Sequence, residues 1–131
     1  MINQIALVTI LTDDVPRLAA FYRNVLQFEV KQDMGGFVEF HHDGVRFAVC
    51  ARSILHEASG HASYTEAHRG QAFELAFPCV EPVEVDRMYA EIMARGATPI
   101  HAPDNMPWGQ RTAMFADPDG NIHELFADLP G

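Results

Sequence analysis

Two glutamates stand where carboxylates are out of place. Glu124 falls within Ile122-His123-Glu124-Leu125-Phe126, and Glu74 within Phe73-Glu74-Leu75-Ala76-Phe77. A carboxylate in such company is either an edge-strand group in water or a polar group at the floor of a pocket. If both are buried together, like-charge repulsion raises one pKa and one of the pair keeps its proton. The pair could then recognise a cation, and Glu124 becomes a candidate general acid or base. No nucleophile stands next to a base, so the residues give no support to covalent catalysis.

The other candidate ligand-binding residues are aromatic or apolar. Trp108 lies in the Pro-flanked stretch Pro107-Trp108-Gly109, where an indole can stack on a flat or cationic molecule. Phe40, Phe47, Met114 and Phe126 are candidate pocket walls, and His101, close to the Trp108 loop, is a candidate polar neighbour. The remaining histidines form no set. His41 and His42 precede the Asp43-Gly44 turn and read as exposed. His123 alternates to the face opposite Glu124. His56, His61 and His68 have no partner spacing on a defined element. Cys50 and Cys79 lie in separate apolar runs with no CxxC spacing, and read as buried free thiols.

The element that must position Glu124 is a hairpin. Asp117-Pro118-Asp119-Gly120 separates two apolar-rich runs. Pro118 presets φ at the first central turn position, and Gly120 takes the left-handed conformation that closes a type I turn with a bulge. Asp117 then faces Asn121, which pairs Ala116 with Ile122, Met114 with Glu124 and Thr112 with Phe126. These six share one face.

Earlier elements follow in order. Ile5 to Leu11 is apolar on both faces and predicts an interior strand. Thr12-Asp13-Asp14 caps a helix with Pro16 in its first turn, and Leu18, Phe21, Tyr22, Val25 and Leu26 form its apolar face. Strands are expected over 28–32, 37–41 and 45–51. Residues 53–71 lack a sustained period and read as a linker with room for one short helix. The grammar then repeats: a strand over 72–80, a helix over 82–95 with Val85, Met88, Tyr89 and Ile92 on one face and Gly96 as its stop, a short strand over 98–101, a loop over 102–107, and the hairpin. Each half is strand, helix, strand, strand, strand, giving modules over 1–52 and 72–127 with a tail over 128–131.

Composition narrows the partners. The chain has 131 residues, 48% hydrophobic and 21% charged, which fits one compact domain or two fused half-domains. A net charge of −9 with a single lysine, Lys31, argues against nucleic acid or an anionic membrane as partner. The N-terminus lacks the basic flank and apolar block of a signal peptide, so a cytoplasmic location is expected.

These residues resemble the vicinal oxygen chelate superfamily, which includes glyoxalase I, bleomycin-resistance proteins, fosfomycin-resistance enzymes and extradiol dioxygenases. The stretches that carry the resemblance are 14–26, 88–97, Trp108-Gly109, Asp117 to Asn121 and Glu124-Leu125. The resemblance implies an α+β fold of paired βαβββ modules, a curved mixed sheet with a central cleft, and a homodimer. The family usually has Gly after the first helix, where this chain has Gln27. Metal-using members take ligands from the first strand, the end of the fourth, the first strand of module two and the last strand. Glu74 and Glu124 match the last two positions. Gln4 is the best the first strand offers, and Ala48, Cys50 or Arg52 stands at the fourth. Two credible ligands of four make a poor site, so no metal cofactor is expected. The expected function is binding of a small aromatic or cationic molecule in the cleft, as antibiotic-resistance members of the family do. The alternative is a lyase, isomerase or dioxygenase using Zn, Ni, Mn or Fe held by Glu74, Glu124 and Gln4.

Overall fold

The computed structural model describes residues 2–66 and 69–131. The chain divides into two compact units, Met1–Arg69 and Gly70–Gly131. His68 lies outside the described residues. Among those described, no helix is long and apolar enough to cross a membrane.

The first unit runs β1 (Leu7–Thr12), α1 (Val15–Asn24), β2 (Val30–Asp33), β3 (Phe37–Phe40) and β4 (Arg46–Ala51). Its sheet has the order β1-β4-β3-β2, with β1 parallel to β4 and the other pairs antiparallel. The expectation of an interior first strand is therefore corrected: β1 is an edge of this sheet. An apolar run reports which faces of a strand are covered, not how many strands flank it. The Asp14 carboxylate caps α1 by accepting from the Arg17 N–H at 3.1 Å.

The helix face read from the sequence is the one that packs. Leu18, Phe21, Tyr22 and Val25 are buried against Val38, Phe40, Phe47 and Val49. Tyr22 is fully enclosed, with ring centroids 5.0 Å from Phe47, 6.1 Å from Phe40 and 6.2 Å from Phe28. Truncating one of these aromatics to Ala costs on the order of 3–5 kcal/mol. After α1 the chain turns back through Gln27, whose φ is 63°, so that the Phe28 N–H reaches the Tyr22 carbonyl at 2.9 Å.

Between the modules stand α2 (Arg52–Ser59), ended by left-handed Gly60, and a single 3-10 turn (Ala62–Thr65). His56 lies on α2, and the His61 ring accepts from the Ser63 N–H at 3.2 Å.

The second unit runs β5 (Ala76–Pro78), α3 (Pro82–Ala94), β6 (Thr98–Asn105), β7 (Gln110–Ala116) and β8 (Ile122–Asp128), with sheet order β5-β8-β7-β6. Val85 and Ile92 of α3 are buried, as are Ala113, Phe115, His123, Leu125 and Ala127 of the hairpin. Two strands differ from expectation. β5 spans three residues rather than nine. Upstream of it the Gln71 amide donates to the Ile122 carbonyl at 2.8 Å and accepts from the Ile122 N–H at 3.1 Å. A side chain thus stands in for a backbone rung, and the segment lies along β8 without being strand. β6 extends through Asn105, over residues expected as loop. Pro99 and Pro103 are tolerated because β6 is an edge strand with two register shifts.

The left-handed Gln27 yields a stability prediction. A non-Gly residue there is strained, so Gln27→Gly should stabilise the fold by about 1 kcal/mol, net of the extra unfolded-state entropy of Gly. Thermal unfolding should show the midpoint rising by a few degrees. A fall would mean that the Gln27 side chain contributes more than its backbone costs.

Candidate functional site

The hairpin turn forms as its sequence specifies. Gly120 has φ 84°, the Asp117 N–H donates to the Asn121 carbonyl at 3.0 Å, and the Gly120 N–H donates to the Asp117 carbonyl at 3.0 Å. The register is Ala116 with Ile122, Met114 with Glu124 and Thr112 with Phe126, as expected. The buried Asp117 carboxylate holds the turn from within. Oδ1 accepts from the N–H groups of Asp119 and Asn121, both at 3.0 Å, and Oδ2 accepts from Asn121 Nδ2 at 2.8 Å.

Pairing extends the row through Met114 and Glu124 in both directions. His101 of β6 pairs with Met114, and Ala76 of β5 pairs with Glu124. Residues paired across a sheet share a face. Glu124, Met114 and Phe126 are half-buried there, while His101 and Glu74 are exposed. The Glu124 N–H donates to the Leu75 carbonyl at 2.9 Å, which brings Glu74 alongside. Burial pushes the Glu124 carboxyl above its ordinary value, and the Glu74 charge adds to the rise. Thr112, on the same face, is fully buried, and its hydroxyl oxygen meets no hydrogen-bond partner among the described residues.

The opposite face belongs to α3. There Arg111 binds Asp86 through Nε and Nη2, each at 2.7 Å, and this hydrogen-bonded pairing holds the Asp86 carboxyl below its usual range. His123 also points to that side, as alternation requires, and is fully buried.

Other candidates are placed elsewhere. Trp108 is 60% exposed between β6 and β7, its indole N–H donating to Gln110 Oε1 at 3.1 Å. Phe40 and Phe47 are corrected from wall residues to core: both are buried in the Tyr22 cluster beneath α1. Each has a single side-chain direction, and the helix occupies it. Gln4 is exposed ahead of β1. His41 and His42 are exposed, and with Gln27, Phe28, Glu29 and Asp43 they line a shallow groove of about 290 Å³ on the first unit. Cys50 is buried, Cys79 is half-buried, and both are free thiols that burial pushes up.

One charged group went unmarked in the sequence. Glu39 is buried at 2% exposure and takes a bidentate Arg46 at 2.8 and 2.9 Å, with Lys31 at 3.8 Å. The Arg46 hydrogen bonds hold its carboxyl below the usual range. The signal was a Glu between Val38 and Phe40 in a β run, the same oddity that drew attention to Glu124. Among the described residues, no three His, Cys, Asp or Glu side chains converge as a metal site.

Residues 5–129 match the glyoxalase-like domain, and the chain belongs to that family, within the vicinal oxygen chelate superfamily. A glyoxalase/bleomycin resistance protein/dioxygenase from Nocardioides is 29% identical, with a TM-score of 0.90 over 100% of this chain and 87% of that one. A family enzyme from Burkholderia phytofirmans PsJN is 25% identical, with a TM-score of 0.84 over 95% and 98% of the two chains. A lactoylglutathione lyase from Agrobacterium tumefaciens shares the fold at 23% identity and a TM-score of 0.71, over 95% of this chain and 92% of that one. No curated protein matches the chain.

The raised Glu124 carboxyl fixes the sign of a pH dependence. The folded state favours the protonated acid, so Glu124 contributes stability at pH values below its ordinary 4.5 and loses it as pH rises through the folded value. Glu124→Gln should therefore melt higher than wild type at pH 7, with the difference closing as pH falls toward 4.5. Melting curves of the two proteins across that range measure it; a difference that widens on acidification would contradict the assignment.

Proposed function

We propose that this glyoxalase-like protein binds a small aromatic cation on the Glu124 face of its second module, without an intact metal site. The observation that carries the reading is a half-buried carboxyl among Met114, Ile122 and Phe126 with a second carboxylate, Glu74, close enough to raise it. Apolar neighbours suit the hydrocarbon body of a ligand, and the acid pair suits its charge while repelling anions. An exposed indole such as Trp108 adds a surface for cation–π stacking. His101 stands in the same cross-strand row and can accept a hydrogen bond from the ligand. In this reading Glu124, holding its proton more tightly than usual, is also the group that would exchange a proton with a bound molecule.

The donor set argues against a metal role. A catalytic divalent ion wants at least three protein ligands, and among the described residues no third His, Cys, Asp or Glu converges with the two carboxylates of the Glu124 face. We expect the protein to act in the cytoplasm as a homodimer, and sequestration of a flat cationic drug is the resistance role this chemistry would serve.

Ethidium is a suitable flat cationic probe. Titration calorimetry should give a dissociation constant unchanged by EDTA. Glu124→Gln should weaken binding about tenfold, roughly 1.4 kcal/mol. Trp108→Ala should weaken it by a smaller factor, about threefold, in keeping with an exposed cation–π contact. Stoichiometric Zn, Ni, Mn or Fe retained on purification, with binding or turnover lost to EDTA, would replace this reading with the metal-dependent one.

A further inference from the structure

The buried histidine of β8 belongs to no step of the proposed function, yet it touches the segment ahead of β5 that carries Glu74. The His123 ring is fully enclosed, with its centroid 6.0 Å from Phe77 and 5.9 Å from Phe115, both nearly edge-to-face. Its Nδ1 accepts from the Leu75 N–H at 3.2 Å. An accepting Nδ1 carries no proton, so the neutral ring holds its proton on Nε2, which faces Asp117 Oδ2 at 3.7 Å. Asp117 is itself fixed by three hydrogen bonds from its own turn.

Leu75 is thus held at both polar atoms. Its N–H goes to the His123 side chain, and its carbonyl accepts the Glu124 N–H at 2.9 Å. Regular pairing of β5 with β8 begins only at Ala76. Leaving a backbone N–H unpaired in a part-buried place is costly, so His123 has substantial leverage on where this segment lies. Glu74 is the next residue, and its position relative to Glu124 follows from that of Leu75.

We propose that His123 is a positioning residue that sets Glu74 beside Glu124, by fixing the Leu75 backbone from the helix-packed side of the sheet. The inference rests on the functional reading above for its consequence, though not for its geometry. It makes a core side chain responsible for the spacing of two carboxylates on the opposite face, and hence for how well the face accepts a cation.

The test uses the full chain and two readouts. His123→Phe keeps a ring in the aromatic cluster and removes the acceptor. His123→Asn restores an acceptor oxygen near the place of Nδ1. In His123→Phe the Leu75 amide should exchange with solvent about tenfold faster, while amides of the β7–β8 ladder keep their rates, as a local rather than global opening requires. In the wild type, Glu74→Gln should weaken ethidium binding about fivefold. In the His123→Phe background the same change should matter less than about twofold, because the two sites are then uncoupled. His123→Asn should recover both properties. If His123→Phe does not fold, His123→Leu carries the same measurements. Unchanged Leu75 protection, or a Glu74→Gln penalty undiminished by the loss of His123, would overturn the proposal. If ethidium fails to bind the wild type, the functional reading falls, and Leu75 exchange alone still decides the positioning role.

Discussion

The second module depends on one buried carboxylate. Asp117 is 2% exposed, and three N–H groups of its own turn converge on its two oxygens. Hydrogen bonds to a charged acceptor are each worth about 1.5–3 kcal/mol, and removing the acceptor would take the partner from all three donors at once. That cost fixes where β7 ends and β8 begins. Once the turn is fixed the register is fixed, and a slip of one residue would send Glu124 into the α3-packed core and His123 out of it. The placement of a carboxyl on the apolar open face is thus a consequence of a turn several residues away.

The two faces of this sheet divide the work. On one side Arg111 meets Asp86, and Phe115, Leu125 and Val85 close a dry core. On the other, Glu124 shares its row with Met114 and His101, and Thr112 keeps a buried hydroxyl that no described residue pairs. Native cores rarely leave such a group unsatisfied, and places where they do are sought first as functional. The first module handles its buried acid differently. Glu39 is matched by a bidentate Arg46, which neutralises it in place and holds it ionised. Glu39 and Glu124 thus shift in opposite directions: hydrogen bonds from a guanidinium lower the first, while partial burial, with a further push from Glu74, raises the second.

Legibility in the sequence followed the range of the interaction. The hairpin was readable to the residue because Asp-Pro-Asp-Gly specifies its own turn and the pairing follows by counting. The α1 face was readable because Leu18, Phe21, Tyr22 and Val25 repeat at helical spacing. The length of β5 was not, since the Gln71 amide replaces a backbone rung, a contact between residues 51 apart in the chain. Phe40 was not placed because a four-residue strand beside a bulge gives alternation too little length to reveal its inner face, and Phe47 because β4 is buried along four successive residues, 47–50. The His123–Leu75 bond was invisible because alternation puts the ring away from Glu124, and nothing local says that it reaches the segment ahead of β5, 48 residues earlier in the chain.

The proposed seat of the ligand is the acid-bearing face of the second module. The most direct measurement is a map of amide, methyl and indole NMR shifts on titration with ethidium. The largest shifts should fall at Glu74, the Met114 methyl, Glu124, Phe126 and the Trp108 indole N–H, with the Tyr22 cluster unmoved. Shifts gathered instead at His41, His42 and Asp43, or none at saturating ligand, would contradict it.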